Sequence, residues 1–358
     1  MTWLVVVGVA AAALATGAIL FLARPVLGRR MLWPALGAAA VSALLTIGLG
    51  RAFEVASWGY LIGICAFAVP VLVLLEAAAI GSGADRTGRW VLMLGWGAIV
   101  FPLAALVPLW LTASCAGTDC ELEDFGGALP LLVSSSAFVL LAWLPAGVIE
   151  RADPDPHDNR RAMLALLVFW GAFVVWLTHL EGAIDEFTPQ IALAAVVGPA
   201  SSSAVWLLVD RLRNVPRRVD RSLVLGLVAG IAATVPGAVA VGFPWNLAVG
   251  AIAGGLASLA YSGRASSAAG IATRWGFVLL VASAVGFLAP AISGGTVGIL
   301  FSAHLDVLSV PVLSFFGVSL LSLVVSAPAW VLLRRHASRE RVPAAIRADA
   351  ASTDQERR

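Results

Sequence analysis

The chain has 358 residues, of which 60% are hydrophobic and only 12% are charged, and its mean hydropathy is +0.94. A soluble domain of this length needs far more charge to cover its surface, so the composition excludes a soluble globular protein and indicates a chain embedded in lipid. The net charge of +2 discriminates little. The positions of the charges along the chain are more informative.

Eleven apolar stretches are long enough to be membrane spans, because about 20 helical residues cross a hydrocarbon core of about 30 Å. The first has no basic residues before it and arginines after it, which favours a retained helix over a cleaved signal peptide. In chain order the predicted spans are 3–23, 31–50, 57–79, 90–112, 127–148, 163–180, 188–210, 222–242, 245–262, 274–294 and 308–333.

The connections between these spans alternate in charge. One set is acidic, with Arg51 as its only basic residue, and the other set carries the remaining arginines. The positive-inside rule therefore predicts an outside N-terminus, an odd number of spans and a cytoplasmic C-terminus in the plasma membrane. Residues 1–335 are predicted to form the transmembrane domain and residues 336–358 a mobile cytoplasmic tail. Because topology and the lipid bilayer explain the arginine clusters, nucleic-acid binding has no support.

Several motifs resemble those of the ammonium transporter (Amt/Rh) family. Gly226 to Gly230, then Pro236, then Phe243 to Gly254 are similar to the family's glycine-rich spans eight and nine. Asp124-Phe125-Gly126-Gly127 resembles the family's "DFAGG" at the start of span five. The resemblance implies an all-α integral membrane protein with two inverted five-helix halves plus a final helix. It also implies a homotrimer with one path per protomer. If the protein is a sensor of this fold, its cytoplasmic tail is expected to recruit a partner such as a PII-type regulator.

The family's pore carries one histidine in span five and one in span ten. The first position is Leu132 here, and the second aligns with Leu279 or Leu280. A leucine-lined pore tends to exclude water and ions, although small neutral molecules can still pass. The leading interpretation is therefore a channel or transporter for ammonium, ammonia or another small neutral molecule. Two alternatives remain: a non-conducting ammonium sensor or scaffold of the same fold, and an unrelated eleven-helix transporter.

The resemblance also implies an outer recruitment site. His179 falls where the family has a serine of that site, Trp110 matches its tryptophan, and Val175 takes the place of a gating phenylalanine on the transport path. Asp124 matches a residue that supports the site from behind. The simpler interpretations are that His179 lies at the end of a helix near the lipid headgroups and that Asp124 is the N-cap of span five.

Glu76 is an ionisable residue inside span three, and such groups are usually paired and often functional. Arg86 or Arg89 of the following inner loop is its predicted partner. Either a functional or a purely structural ion pair would fit the sequence.

The three cysteines have separate expectations. Cys115 and Cys120 share an outer loop, where the environment is oxidising and the spacing permits a disulfide. Cys65 lies within span three and is expected to fill the core.

No motif supports catalysis, a cofactor or a metal, so an enzyme is not expected. One inner loop carries four residues of types that bind metals, but the prolines between them favour a solvated loop instead. These residues are Asp153, Asp155, His157 and Asp158.

Overall fold

The computed structural model describes residues 2–27, 32–52, 57–81, 84–106, 122–140, 158–215, 217, 219–262, 271–294, 298–303 and 305–331, and the statements below concern these residues. Their regular structure is entirely helical. Eleven helical segments correspond in order to the eleven predicted spans. They are α1 (Thr2–Leu27), α2 (Trp33–Ala52), α3 (Trp58–Gly81), α4 (Arg86–Leu106), α5 (Leu129–Leu140), α6 (Asp158–His179), α7 (Thr188–Leu212), α8 (Val219–Thr234), α9 (Phe243–Ser262), α10 (Ile271–Ser293) and α11 (Ser309–Val331).

Eight of these helices are long and apolar enough to cross a membrane, namely α1 to α4, α7 and α9 to α11. Apolar helices of 10–17 residues account for spans five and six. The remaining segment, α8, has 16 residues. All-α membrane architecture, predicted from composition and hydropathy, is therefore confirmed.

The predicted span eight, 222–242, is too long. Helix α8 ends at Thr234, and turns follow through 240. Pro236 and Gly237 explain the break, because proline cannot donate a helical hydrogen bond and glycine is a poor helix former. Hydropathy cannot detect this end, because the residues beyond it are as apolar as those before it.

Two helices contain a stretch of wider π-helix: Gly95–Val100 in α4 and Leu129–Val133 in α5. Such stretches are uncommon and often mark functional positions. The second one includes Leu132, so it changes the direction of a side chain assigned to the transport path.

The helix contacts repeat with a period of five helices. In the first half α2 packs on α3 and α4, and α3 contacts α5. In the second half α7 packs on α8 and α9, and α8 contacts α10. The halves meet where equivalent helices pair, α1 with α6 and α5 with α10. This five-helix period in the contacts is what the predicted pair of five-helix halves requires.

The motif glycines bring α7, α8 and α9 into backbone contact. A methyl group at Gly230 would overlap the Pro199 Cα atom, and one at Gly254 would overlap the Ser202 carbonyl oxygen. Gly250 meets the Gly198 carbonyl in the same way. Small residues at helix interfaces are typical of membrane proteins, where close packing replaces the hydrophobic driving force.

Candidate transport path

Helices α5 and α10, which correspond to predicted spans five and ten, pack against each other. A Cβ atom at Gly276 of α10 would lie 2.7 Å from Val139 Cγ2 and 3.1 Å from the Ser136 carbonyl oxygen of α5. Residues three and four apart share a face of a helix. The face of α5 that meets α10 therefore includes Leu132, and the face of α10 that meets α5 includes Leu279 and Leu280.

The leucines at the positions of the family's histidines are only partly buried. Leu132 and Leu279 both pack against a buried cluster that includes Trp206 and Ala282, and Leu132 and Leu280 both pack against the larger cluster of the molecule. The structure thus brings the predicted span-five and span-ten residues to one region between the halves. Apolar side chains of this kind offer a permeating molecule no hydrogen bond.

The segment just before α5 makes backbone hydrogen bonds to the segment after α8. Phe125 donates its N–H to the Pro236 carbonyl at 3.0 Å, and Gly126 donates to the Val235 carbonyl at 3.1 Å. Gly127 follows at a φ of +64°, a conformation that suits glycine. Non-helical backbone near membrane depth is tolerated when the protein satisfies its polar groups in this way.

Asp124 satisfies two backbone donors at the start of α5, although Ala128 holds the N-cap position itself. Its carboxylate accepts hydrogen bonds from Ala128 N at 2.5 Å and from Leu129 N at 3.0 Å, and its own carbonyl accepts from the Tyr60 hydroxyl at 3.1 Å. Burial raises the pKa of Asp124 to about 7, although the two backbone donors act in the opposite direction. Its role here is to hold the loop rather than to offer a free carboxylate.

His179 is the last residue of α6, and its side chain is buried against two other helices. The side chain is only 4% exposed, its imidazole lies against Gly8 of α1, and Nε2 is 3.6 Å from the Cβ position of Gly63 in α3. Neither ring nitrogen has a hydrogen-bond partner. Nearby, Trp176 donates its indole N–H to the Gly63 carbonyl at 2.9 Å, which fixes this end of α6 against α3.

Val175 lies on a different face of α6 from the buried aromatic side chains near it, and its place on the transport path stays a prediction. Its side chain is 44% exposed, whereas its neighbours Phe173 and Trp176 are buried. A helix turns about 100° per residue, so the side chains on either side of Val175 point inward while Val175 points outward. Trp110, the other predicted member of the outer site, lies outside the described residues.

Three acidic residues that follow His179 lie at or near the surface. Asp185 and Glu186 are exposed, and Glu181 is partly exposed. Burial, and secondarily the neighbouring Asp185, raises the pKa of Glu181. The Asp185 carboxylate also accepts a hydrogen bond from Phe187 N at 2.9 Å, so it shapes the turn before α7.

Glu76 has the partner that the sequence predicts. Its carboxylate is 2.9 Å from Arg89 Nη1, and its second oxygen accepts a hydrogen bond from Ala35 N at 3.0 Å. The Glu76 side chain is 0% exposed. It therefore neutralises the arginine of α4 and caps the first turn of α2, which makes it a link between three helices.

A second buried ion pair was not identified from the sequence. Asp210 receives Arg217 Nη1 at 2.7 Å and 2.9 Å on its two oxygens. It also accepts hydrogen bonds from the hydroxyls of Ser222 and Ser258 and from the Trp206 indole. This network joins the C-terminal ends of α7 and α9 to the N-terminal end of α8. The sequence did not single out Asp210, because it lies beside arginines that the predicted topology already explains.

The remaining predicted sites are tested only in part. Cys65 is buried and free, as expected for core filling. Cys115 and Cys120 lie outside the described residues, and so do Asp153, Asp155 and His157. Asp158 begins α6. Within the described part of the chain, no cluster of three metal-binding side chains occurs.

Comparison with known proteins gives a structural likeness without a sequence match. No protein-family model matches the chain, and no curated protein matches it. Mep2 from Candida albicans superposes with a TM-score of 0.73 at 17% identity, covering 95% of this chain and 84% of that one. Mep2 from Saccharomyces cerevisiae gives 0.69 at 17% identity, covering 92% and 84%. A sensor Amt protein gives 0.68 at 14% identity and covers 93% of both chains.

These likenesses extend over nearly the whole chain, and Mep2 proteins are ammonium transporters. The chain therefore has the ammonium-transporter fold. The sequence-based alternative of an eleven-helix transporter with an unrelated fold is excluded. At these identities the comparison establishes the fold and leaves the function to be argued from this chain's own residues.

Proposed function

We propose that this chain conducts ammonia or a similarly small neutral molecule across the plasma membrane. The premise is the fold that it shares with the ammonium transporters. The path runs between α5 and α10. The observation that supports this proposal is the contact between these two helices, with Leu132 and Leu279 on the facing surfaces. The proposal describes a divergent member of the Amt/Rh family that lacks the paired pore histidines.

The charge content of the two helices argues for a neutral permeant. Helix α5 carries no charged residue, and α10 carries only Arg274 in its first turn. An ion at the bilayer centre costs several kcal/mol unless it has partners, and leucines provide none. A neutral molecule pays much less, so a narrow apolar constriction selects against ammonium and for ammonia.

Assembly and orientation complete the proposal. We propose a homotrimer, by analogy with the fold, with the N-terminus outside and the arginine-rich inner loops and C-terminus in the cytoplasm. A PII-type regulator is the proposed cytoplasmic partner. No step in this scheme requires a cofactor, a metal or catalysis.

Flux through purified protein in liposomes tests the function. An ammonium chloride pulse should raise the internal pH faster than in empty liposomes, without electrical current, because ammonia enters alone. Leu132→Trp should abolish the excess flux by filling the constriction. Leu313→Trp is the matched control, because Leu313 is 72% exposed on the outer surface of α11.

Two results would contradict the proposal. One is flux no greater than that of empty liposomes for ammonia, methylammonium and carbon dioxide alike. The other is an ammonium current, which would show that the permeant is the cation.

A sensor is the second candidate, and one observation favours it. The sensor Amt protein matches this chain over 93% of both lengths, so the two chains have nearly the same extent. In this proposal the buried imidazole of His179 responds to a bound ligand, and the cytoplasmic side recruits the regulator. It predicts saturable ammonium binding, lost in His179→Ala, in a protein that gives no flux. Ammonium currents abolished by His179→Ala would exclude a purely sensory role.

A further inference from the structure

The π-helical turn of α5 has a hydrogen-bond pattern that leaves one carbonyl to be satisfied by a side chain. In an α-helix the backbone N–H of Ser134 would donate to the carbonyl of Pro130, four residues earlier. Here it donates to the carbonyl of Leu129 instead. The carbonyl of Pro130, a buried residue, therefore lacks the backbone donor that an α-helix would give it. Buried carbonyls without any donor are rare, because the missing bond is costly.

The Ser134 hydroxyl supplies the missing donor. It donates to the Pro130 carbonyl across the π-helical turn. The hydroxyl oxygen also accepts a hydrogen bond from the indole N–H of Trp96 in α4 at 3.0 Å. A hydroxyl has one donor and two acceptor lone pairs, so both bonds can form at once. Trp96 and Ser134 are both 0% exposed, so the two bonds lie in the protein interior.

Trp96 is itself part of the π-helical turn of α4. Its carbonyl accepts the backbone N–H of Phe101, and the centroids of the two rings are 5.2 Å apart. One residue further on, a methyl group at Gly97 would lie 2.9 Å from the Ala38 carbonyl oxygen, so this turn packs directly on α2. The indole is therefore held in place by α4 and α2. Its bond to Ser134 connects that fixed turn to the π-helical turn of α5.

Leu132 lies within the turn that the Ser134 hydroxyl bridges. Its neighbours Leu131 and Val133 are buried, whereas Leu132 is partly buried and packs against two of the buried clusters. A π-helix bonds residues five apart rather than four, so one turn of it holds more residues than a turn of α-helix. A return of this turn to α-helical bonding would therefore rotate Leu132 relative to Val139, which contacts α10.

We propose that Trp96 is a positioning residue for the transport path. Through Ser134 it holds the π-helical turn of α5 and so directs Leu132 toward α10. Trp96 does not touch the permeant in this scheme. A packing role would need only its ring, whereas this role needs its indole N–H. The inference rests on the proposed function, for which it names the residue that sets the direction of Leu132.

The first test measures the direction of residue 132 and needs no transport. The parent protein has its three native cysteines replaced by alanine and carries Leu132→Cys and Leu279→Cys. A short bifunctional thiol reagent should cross-link α5 to α10 in this parent. We expect the yield to fall about fivefold when Trp96→Phe or Ser134→Ala is added, the factor that corresponds to the loss of one hydrogen bond.

Trp330→Phe is the matched control for this test. Trp330 of α11 also donates its indole N–H to α5, to the Phe138 carbonyl at 3.0 Å, but beyond the π-helical turn. Trp96→Phe and Trp330→Phe should lower the melting temperature by similar amounts, because each removes one buried hydrogen bond. Only Trp96→Phe should reduce the cross-linking. Equal yields in these two proteins, or no cross-linking in the parent, would overturn the proposal.

The second test is ammonia flux in liposomes. We expect Trp96→Phe and Ser134→Ala each to slow ammonia entry about fivefold, because the facing surfaces of α5 and α10 no longer match. The double variant should be no slower than either, since both changes break the same bond. Trp330→Phe should conduct like the wild type.

Ammonia entry at the wild-type rate in both Trp96→Phe and Ser134→Ala would overturn the place of Trp96 in the path. If the wild type conducts nothing, the proposed function fails. The cross-linking comparison still decides in that case whether the indole N–H directs residue 132.

Discussion

Glu76 has both of its carboxylate oxygens in use, one for a charge and one for a helix terminus. Arg89 and Ala35 N are its partners, and they belong to different helices. Two ions taken out of water gain little net stability as a pair, but removing one leaves the other buried and uncompensated. The contribution of Glu76 to the free energy of unfolding can therefore be measured only by removing one residue of the Glu76–Arg89 pair.

We expect Glu76→Ala to lower the free energy of unfolding by about 3–5 kcal/mol, because Arg89 is left without its counter-ion and Ala35 N without its acceptor. Glu76→Gln should cost less, since its amide oxygen can still cap α2. Thermal unfolding in detergent measures both. Glu186→Gln, at an exposed position, is the control and should be neutral. Equal melting temperatures for Glu76→Ala and wild type would show that the pair is not structural.

At the scale of residues, contacts between residues close along the chain could be predicted from the sequence. Asp124 satisfies backbone donors of the helix that begins a few residues later, and Glu76 pairs with an arginine in the next helix. His179 and Val175 were assigned from a resemblance alone. Their burial depends on the rotation of α6 against α1 and α3, which motif alignment does not specify.

At the scale of elements, the glycines of α8 and α9 lie where an added side chain would overlap a neighbouring helix backbone. A side chain at Gly254 would overlap the backbone of Ser202, and backbone cannot move aside as a flexible side chain can. The motif that resembles the ammonium transporters is therefore explained by packing. It identifies the fold but does not itself indicate a permeant.

Gly254→Ala should destabilise the protein by at least 1–3 kcal/mol, since overpacking forces α7 and α9 apart. Gly48→Ala is the matched control, because nothing lies within 4 Å of the added methyl group in α2. In that exposed helix the same change should be neutral or slightly stabilising. Melting curves of the two variants in detergent make the comparison. Similar curves would contradict the close packing of α7 and α9.

Element boundaries were less predictable than element order. All eleven predicted spans correspond to helical segments, because length and hydropathy report directly on lipid exposure. The end of α8 at Thr234 and the π-helical stretch Leu129–Val133 were not predicted. Both depend on tertiary hydrogen bonds and packing, which a single apolar sequence does not encode visibly.

At the scale of the whole molecule, orientation is a prediction that labelling can test. Along the sequence, arginine-rich and acidic connections alternate from one predicted span to the next. With the three native cysteines replaced by alanine, a membrane-impermeant thiol reagent should label Glu186→Cys in intact cells. It should label Arg211→Cys only after the membrane is opened. Both residues are exposed. The reverse pattern would invert the orientation.

The backbone contacts among α7, α8 and α9 have a mechanical consequence. Where carbonyl meets Cα with no side chain between, there is no rotamer to change, so we expect these three helices to move only as one body. The hydrogen bonds of Asp210 with Arg217, Ser222 and Ser258 further connect these three helices. We expect any change in the contact between α5 and α10 to come from tilting of α5, whose N-terminal end is tethered through Phe125 and Gly126 to the turn after α8. That tether is a hinge in the literal sense, a fixed edge about which a short helix can tilt.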